Sequence, residues 1–563
     1  MKFPPRFLPV ITLTGMICLT CMMTGCGSKS NSEQEAGPYN FLLVYTDELQ
    51  FSDLGCYGGA IPTPNIDQLA RKGLMFTAAY TSASMCTPSR YSVLTGQFPG
   101  RCSAPSFLDE NPVDEPYNIA WNSWITEDKQ TLAKILGTHG YVTGMAGKWH
   151  VGRVPEGTQL PRFNPDDRPE NEAVDQKLRE QQSIYQALVR EQAGFDRAYS
   201  VVWSNYDNHP VEALRFHNFP WMISGAVRFL EEQKESDAPF FLYFAPTAIH
   251  GPNHEEDLER DVTLTLGGRD PGVLDYQLDV EALKSKLQSV PVGERHRYSG
   301  IVQTDHAVGL IRQKLEELGM DDRTVIIFIS DHNIEPGKAT SYEKGIHVPM
   351  IVYWPGITSG GESSAQVQNL DIYPTLLEEA GIALPLDYRL DGQSMMKVIR
   401  KPSLPGKPLI FSENGYTRSV SDGRYKYIAL RYPQRLIEAM QSGELGYVPS
   451  YVEAWPQAHS AIAMQCYPHY FDQDQLYDLE SDPYEQYNIF GTESGQAVIE
   501  PLRTAMEAHL ETFDHPFPLA PIPFMQTPQY RLLAETDLAF DIYTIPWLNR
   551  DHGTIVWPPT GDE

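Results

Sequence analysis

Strand-like apolar runs that alternate with amphipathic stretches predict an α/β protein, a large, mostly parallel sheet covered by helices on both faces. The runs are continuously apolar, which is the pattern of strands buried on both sides. Every polar cluster falls just after one of these runs, and ligand sites in open α/β sheets lie outside the carboxyl ends of the strands. At 563 residues the chain is too long for one simple core, so at least two structural units are expected.

Residues 41–45, Phe-Leu-Leu-Val-Tyr, form the first run, which ends at Asp47 and Glu48. A second, 141–146, leads into Gly147, Lys148, Trp149 and His150. The third, 240–244, is followed six residues later by His250. The fourth, 325–329, ends at Asp331 and His332, and residues 349–353 form a fifth. Helical stretches lie between them, at 131–138, 221–233 and 301–318. The polar clusters are therefore expected to converge although hundreds of residues separate them. After about residue 405 the texture changes. Strand-like 408–412 and 425–430 precede Leu476-Tyr477-Asp478-Leu479 and Asp482-Pro483-Tyr484-Glu485. Residues 515–563, rich in proline and aromatics, read as an extended arm.

Hydrophobic residues make up 41% and charged residues 21%, an ordinary globular composition. A net charge of -29 argues against nucleic acid and against an anionic membrane surface as partners. Lys2 and Arg6 precede an apolar run from Phe7 to about Gly25, which ends Met23-Thr24-Gly25-Cys26. This resembles a bacterial lipoprotein signal, in which Cys26 is lipidated after cleavage. An ordinary cleaved signal and an uncleaved anchor helix are the alternatives. The lipoprotein reading implies an exported protein, periplasmic or anchored to the outer membrane, that meets the membrane only through its lipid. Residues 26–38 read as a flexible tether. Of seven cysteines, Cys18 and Cys21 leave with the signal. Cys56, Cys102 and Cys466 are too few for a disulfide framework, though they allow one pair.

Cys86 stands in Cys86-Thr87-Pro88-Ser89-Arg90, followed by Tyr91 to Gly96. Pro88 suits the first turn of a helix, where its missing N–H would be unpaired anyway. Cys86 is then expected just before a helix N-terminus, whose free N–H groups and dipole favour an anion. Arg90, one turn further in, is placed to hold that anion. The eleven positions 86–96 resemble the C-x-P-S-R-x-x-x-L-T-G signature of type I, formylglycine-dependent sulfatases of the alkaline phosphatase superfamily.

The resemblance spans about residues 40–490. Gly147 to Gly152 is similar to the family's G-K-W-H-x-G, and Tyr342 to Pro349 to its Y-E-G-G-I-R-V-P, with His347 in place of arginine. Residues 476–485 resemble its L-Y-D-L-x-x-D-P-x-E, which lies in a small antiparallel sheet with a helix packed on it. The implied fold is alkaline phosphatase-like, with a catalytic domain over 39–404 and a C-terminal α+β subdomain over 405–514.

The implied activity is hydrolysis of sulfate esters, with a maturating enzyme oxidising Cys86 to formylglycine. One Ca2+ would be held by Asp47, Glu48, Cys86, Asp331 and His332. Glu48 departs from the family's usual aspartate, but oxygen-rich sites suit Ca2+. Arg90, Lys148 and Lys338 would hold the sulfuryl oxygens. His250 would protonate the leaving alcohol, and His150 would act as base on the second hydroxyl of the hydrated aldehyde. An exported sulfatase implies sulfated carbohydrate as substrate. Aromatic platforms for sugar are expected at Trp121, Trp124, Trp203 and Tyr206, with Arg550 of the arm at the rim. Rival readings are a formylglycine-dependent phosphonate or phosphodiester hydrolase and a non-catalytic lipoprotein that binds sulfated glycan.

Overall fold

The computed structural model describes residues 37–538, apart from 274–276, 335 and 453–458. Cys26 and the signal segment lie outside the described residues, as does Arg550. The described residues from Pro38 onward form one compact unit. No described helix is long and apolar enough to cross a membrane.

The main sheet has eight strands: β1 (Asn40–Thr46), β2 (Leu74–Phe76), β3 (Val142–Lys148), β4 (Arg197–Val202), β5 (Phe240–Ala245), β6 (Thr324–Ser330), β7 (Met350–Tyr353) and β8 (Glu362–Ser363). Their order is β8-β2-β7-β6-β1-β5-β3-β4. Only β7 runs antiparallel to its neighbours, β2 and β6. All five apolar runs seen in the sequence are strands of this sheet.

Side chains on β1 alternate between two cores. Phe41, Leu43 and Tyr45 pack with helices α2 (Cys86–Thr95), α3 (Leu132–Thr138) and α7 (Ile372–Glu379). Leu42 and Val44 pack with α1 (Pro64–Lys72), α5 (Phe219–Glu232) and α6 (Val292–Glu317). Both faces are thus covered, and period-two side-chain direction on an apolar strand is the cause. Local chemistry sets the helix starts. Thr131 accepts from the Lys134 N–H and caps α3, and Asn218 accepts from the Trp221 N–H and caps α5. The helix between β3 and β4, α4 (Glu172–Ala193), ends at Gly194, whose φ of 77° places it in the left-handed region.

A second sheet of four antiparallel strands, β9 (Ile410–Asn414), β10 (Thr417–Ser421), β11 (Tyr425–Leu430) and β12 (Asp474–Asp478), follows. Helix α8 (Ile499–Leu510) packs on it through Leu502 and Met506. The expected extended arm is corrected in its first part. Pro528–Leu538 is a helix that starts with proline and buries Tyr530 among Phe524, Met525 and Tyr470. Cys56, Cys86, Cys102 and Cys466 are all free thiols.

Candidate active site

Parallel register gathers the polar clusters at one end of the sheet. Thr46 of β1 lies opposite Ser330 of β6, so the residues that follow them, Asp47 and Asp331, emerge side by side. The Asp331 N–H bonds Thr46 O at 2.9 Å, and the Asp47 N–H bonds Ala248 O at 2.8 Å. Lys148 closes β3 in register with Val202 of β4. Beyond it, Trp149 and His150 donate their N–H groups to Val202 and Trp203. Glu48 and His150 both carry left-handed backbone, at φ 60° and 49°. That conformation is uncommon for non-glycine residues and is frequent at functional sites.

Helix α2 begins one step earlier than its proline implies. Met85 is the N-cap, extended, and Cys86 is the first helical residue. Every residue of α2 is buried. Cys86 Sγ lies 3.3 Å from His332 Nε2, 3.5 Å from Asp47 Oδ1 and 3.5 Å from Lys148 Nζ. Lys148 also pairs with Asp47. Arg90 Nη2 binds Asp331 Oδ2 at 2.8 Å and stands 3.8 Å from Asp47, while Nη1 meets the Tyr243 hydroxyl at 3.1 Å.

Burial raises the cost of ionising Asp47, but Lys148, His250, Arg90 and His332 outweigh it and hold the carboxyl well below the usual range. Asp331 moves the other way, through burial and the neighbouring Asp47 charge. Burial, with the Asp47 charge added, pushes the Cys86 thiol up to about 12. It is therefore not a thiolate at neutral pH. Burial, then Lys148 and Arg90, hold His150 well below the ordinary imidazole value, and its Nδ1 is buried with no hydrogen-bond partner. His150 is therefore neutral at pH 7.

Asp47, Cys86, Asp331 and His332 bring one ligand atom each to within 4.8 Å of one another. His332 Nδ1 faces Asn333 O at 2.7 Å and donates to it, which leaves Nε2 as the lone-pair nitrogen toward Cys86. Two carboxylates and an imidazole in a closed group fit a divalent cation. Glu48 is not in that group. Its carboxylate pairs with Lys338 and lies 3.7 Å from His250 Nε2. Lys338 holds Glu48 well below the usual carboxylate range against the opposing effect of burial.

His250 Nδ1 lies 2.9 Å from Gly251 O, and its Nε2 lies 3.1 Å from Asn205 Nδ2. Asn205 and Tyr243 escaped the sequence reading, because an asparagine three residues past a strand and a tyrosine inside an apolar strand carry no motif. Trp121 and Trp124 are half-buried against the core, and Trp203 stacks on Tyr185. Tyr206 is corrected as a sugar platform. It is 1% exposed and packs in the core with Phe219 and Trp221. His347 stacks on Tyr80 and bonds Thr77 O, so the arginine position is filled by packing.

The sulfatase family model matches residues 39–382. Human arylsulfatase A is 28% identical over 494 residues, which cover 82% of this chain and 85% of the relative. The N-acetylgalactosamine-6-O-sulfatase of Bacteroides thetaiotaomicron is 26% identical over 555 residues, 87% and 96% of the two chains. A solved structure from work on the metabolism of multiple glycosaminoglycans by the same bacterium superimposes with a TM-score of 0.57 at 21% identity. It covers 84% of this chain and 99% of its own. A sulfatase from Pseudoalteromonas gives 0.52 at 22% identity, with 85% and 91% covered.

Proposed function

The chain belongs to the sulfatase family, has the alkaline phosphatase-like fold and is a sulfuric ester hydrolase, and we propose that it removes sulfate from carbohydrates through an oxidised Cys86 and one bound Ca2+. The convergence of Cys86 Sγ with Asp47, Asp331, His332 and Lys148 in one buried cluster carries this reading. The relatives named as N-acetylgalactosamine-6-sulfatases support a sulfated sugar as substrate. The signal-like N-terminus supports export and a lipid anchor at Cys26.

Asp47, Asp331 and His332 would hold the cation, which supplies Lewis acidity at the sulfuryl oxygens. Formylglycine at position 86 would supply the nucleophilic hydroxyl and a second hydroxyl for release; a neutral buried thiol supplies neither. Arg90 and Lys148 fix the carboxylates around position 86 and present positive charge to the sulfuryl group. Their order is set before substrate arrives, so little reorganisation is needed as charge develops. Lys338, paired with Glu48, brings a third cation to the same end of the sheet. His250 Nδ1–H donates to Gly251 O, which turns Nε2 toward Glu48 and Asn205; from the imidazolium form Nε2 would deliver the proton to the leaving oxygen. Neutral His150 takes the proton of the second hydroxyl.

Mass spectrometry of the peptide containing position 86, from protein made with a maturating enzyme, tests the modification. Formylglycine together with release of sulfate from an aryl sulfate is expected. Unmodified cysteine in an active enzyme, or faster turnover of an aryl phosphate diester, would overturn the proposal.

A further inference from the structure

His250 sits in the loop that leaves β5 and ends in the short helix His254–Asp257. Its ring is tied to that loop, since Nδ1–H donates to Gly251 O at 2.9 Å. The loop backbone therefore sets where Nε2 points. Two histidines from other elements hold that backbone on either side of His250. His217, just ahead of α5, faces Thr247 Oγ1 with Nδ1 at 2.6 Å and Pro252 O with Nε2 at 3.2 Å. His296, early in α6, faces the His254 N–H with Nδ1 at 3.0 Å and Ile249 O with Nε2 at 3.1 Å. The two spans, 247 to 252 and 249 to 254, overlap across His250.

The partners fix where the ring protons lie. A backbone carbonyl only accepts, so Nε2 of each ring carries a proton. A backbone N–H only donates, so Nδ1 of His296 is the lone-pair nitrogen. In neutral His217 the Thr247 hydroxyl donates to Nδ1 in the same way. Burial, then the nearby His254 and His296 rings, hold His217 well below the ordinary imidazole value. Each neutral ring thus gives one hydrogen bond and takes one. Lysine and arginine offer no acceptor and could not fill either place.

Packing stiffens the arrangement. The His254 ring lies between the other two, with centroids 3.9 Å from His217 and 4.9 Å from His296. Asp257 accepts the His217 N–H at 2.9 Å and faces His254 Nδ1 at 2.8 Å. His217 and His254 are buried and His296 is half-buried. The charged neighbours of His296 on α6 have partners elsewhere, Arg295 with Glu255 and Arg297 with Asp53. Backbone bonds to Asp47 hold Ala248 O and the Ile249 N–H. The carbonyls on either side of His250, those of Ile249 and Pro252, are held by imidazole.

Resting on the sulfatase reading and on the acid role of His250, we propose that His217 and His296 are positioning residues, a pair of neutral imidazole clamps that lock the loop over 247–254 and aim His250 Nε2 at the leaving oxygen. Neither ring touches the reacting atoms. Loss of either frees a carbonyl beside His250, and a misplacement of about 1 Å can cost on the order of 100-fold in rate.

The test is kcat/KM across aryl sulfates of graded leaving-group acidity, from 4-nitrophenyl sulfate to phenyl sulfate. Nitrophenolate departs without a proton, whereas the more basic phenolate needs one. His296→Phe keeps a stacked ring and removes both hydrogen bonds, and His217→Ala removes the other clamp. Each should slow phenyl sulfate by about tenfold or more and 4-nitrophenyl sulfate by less than about threefold, within the roughly 10²–10⁴-fold that a general acid contributes. His217→Gln and His296→Gln keep an amide donor for the carbonyl and should recover part of the loss. In a His250→Ala background neither clamp variant should add a selective loss, because its effect runs through His250. Equal losses on both esters, or a further selective loss without His250, would overturn the proposal. If His250→Ala leaves the leaving-group dependence unchanged, the acid assignment fails and the clamps have nothing to aim. If it steepens that dependence and the clamp variants do not, the clamps alone are refuted. If the mature enzyme hydrolyses no aryl sulfate, the sulfatase reading fails, and hydrogen–deuterium exchange still judges the clamps. Faster exchange confined to 247–254 in His296→Phe supports them, and unchanged exchange refutes them.

Discussion

The backbone N–H of Ser84 donates to Asn414 Oδ1 at 2.7 Å, which ties the residue two positions before Cys86 to the last residue of β9 in the second sheet. Ser84 Oγ binds Thr340 O at 2.6 Å, and Ser84 O accepts from the Ala339 N–H at 3.0 Å. One serine thus joins the entry of α2, the loop that carries Lys338 and the second sheet. Asn414→Ala leaves the Ser84 N–H buried and unpaired, at a cost of about 1–3 kcal/mol. Urea unfolding should show that loss, with a severalfold drop in activity because Cys86 loses its anchor. Unchanged stability would show that the tie is dispensable.

Cys86→Ala should abolish turnover and leave the fold intact. The residue contributes a small side chain to a cluster of polar groups, so the volume removed is minor. Circular dichroism and thermal melting check the fold, and aryl sulfate hydrolysis checks the chemistry. Activity above a trace would sink the proposed nucleophile.

Lys338→Ala should be more damaging than loss of both partners. It leaves the partly buried Glu48 without its lysine, and breaking a fully buried pair on one side costs about 3–5 kcal/mol, the upper limit for this one. The double variant Glu48→Gln with Lys338→Met should recover most of that stability but not activity. Denaturation midpoints of the single and double variants decide between these outcomes.

Chelation should inactivate the mature enzyme, and calcium should restore it. Asp331→Ala should lower calcium affinity more than Glu48→Ala, because the Glu48 carboxylate is engaged by Lys338 outside the four-residue group. Calorimetric titration of each variant with calcium reads this directly. A larger effect from Glu48→Ala would place its carboxylate on the ion.

Asp305 accepts from the N–H groups of Asn65 and Ile66 at the start of α1. Burial lifts its carboxyl to about 6, above its unfolded value. A raised pKa means that the folded state holds the proton more tightly. The associated stability is complete below about pH 4 and is lost as the pH climbs through 6. A shift of about two units corresponds to roughly 3 kcal/mol. The stability difference between the protein and Asp305→Asn should move across that window and level off above it. A flat difference would contradict the assignment.

The sheet was readable because strands buried on both faces have no polar alternation, as residues 41–45 and 325–329 illustrate. The cluster at the strand ends was readable because Asp47, Lys148 and Asp331 each follow such a run. Partnership was not. Glu48 reads as a ligand beside Asp47, yet its neighbour in space is Lys338, 290 positions away. Tyr206 reads as an exposed aromatic in a polar loop, yet a short 3-10 turn, Tyr206–Asn208, turns it into the core. Asn205 next to it faces His250 for the same reason. Sequence spacing records which strand a residue follows, and not which way a loop turns its side chains.

Burial of α2 also bears on when the proposed oxidation could take place. Cys86 is 1% exposed, on a helix with every residue covered and an entry pinned by Ser84. A second enzyme must bring its own active site against the thiol to oxidise it, and the folded chain offers it no approach. The proposed oxidation therefore belongs to the newly made chain, before the second sheet docks. If oxidation of position 86 is required, as proposed, a molecule that folded with its thiol intact would stay inert.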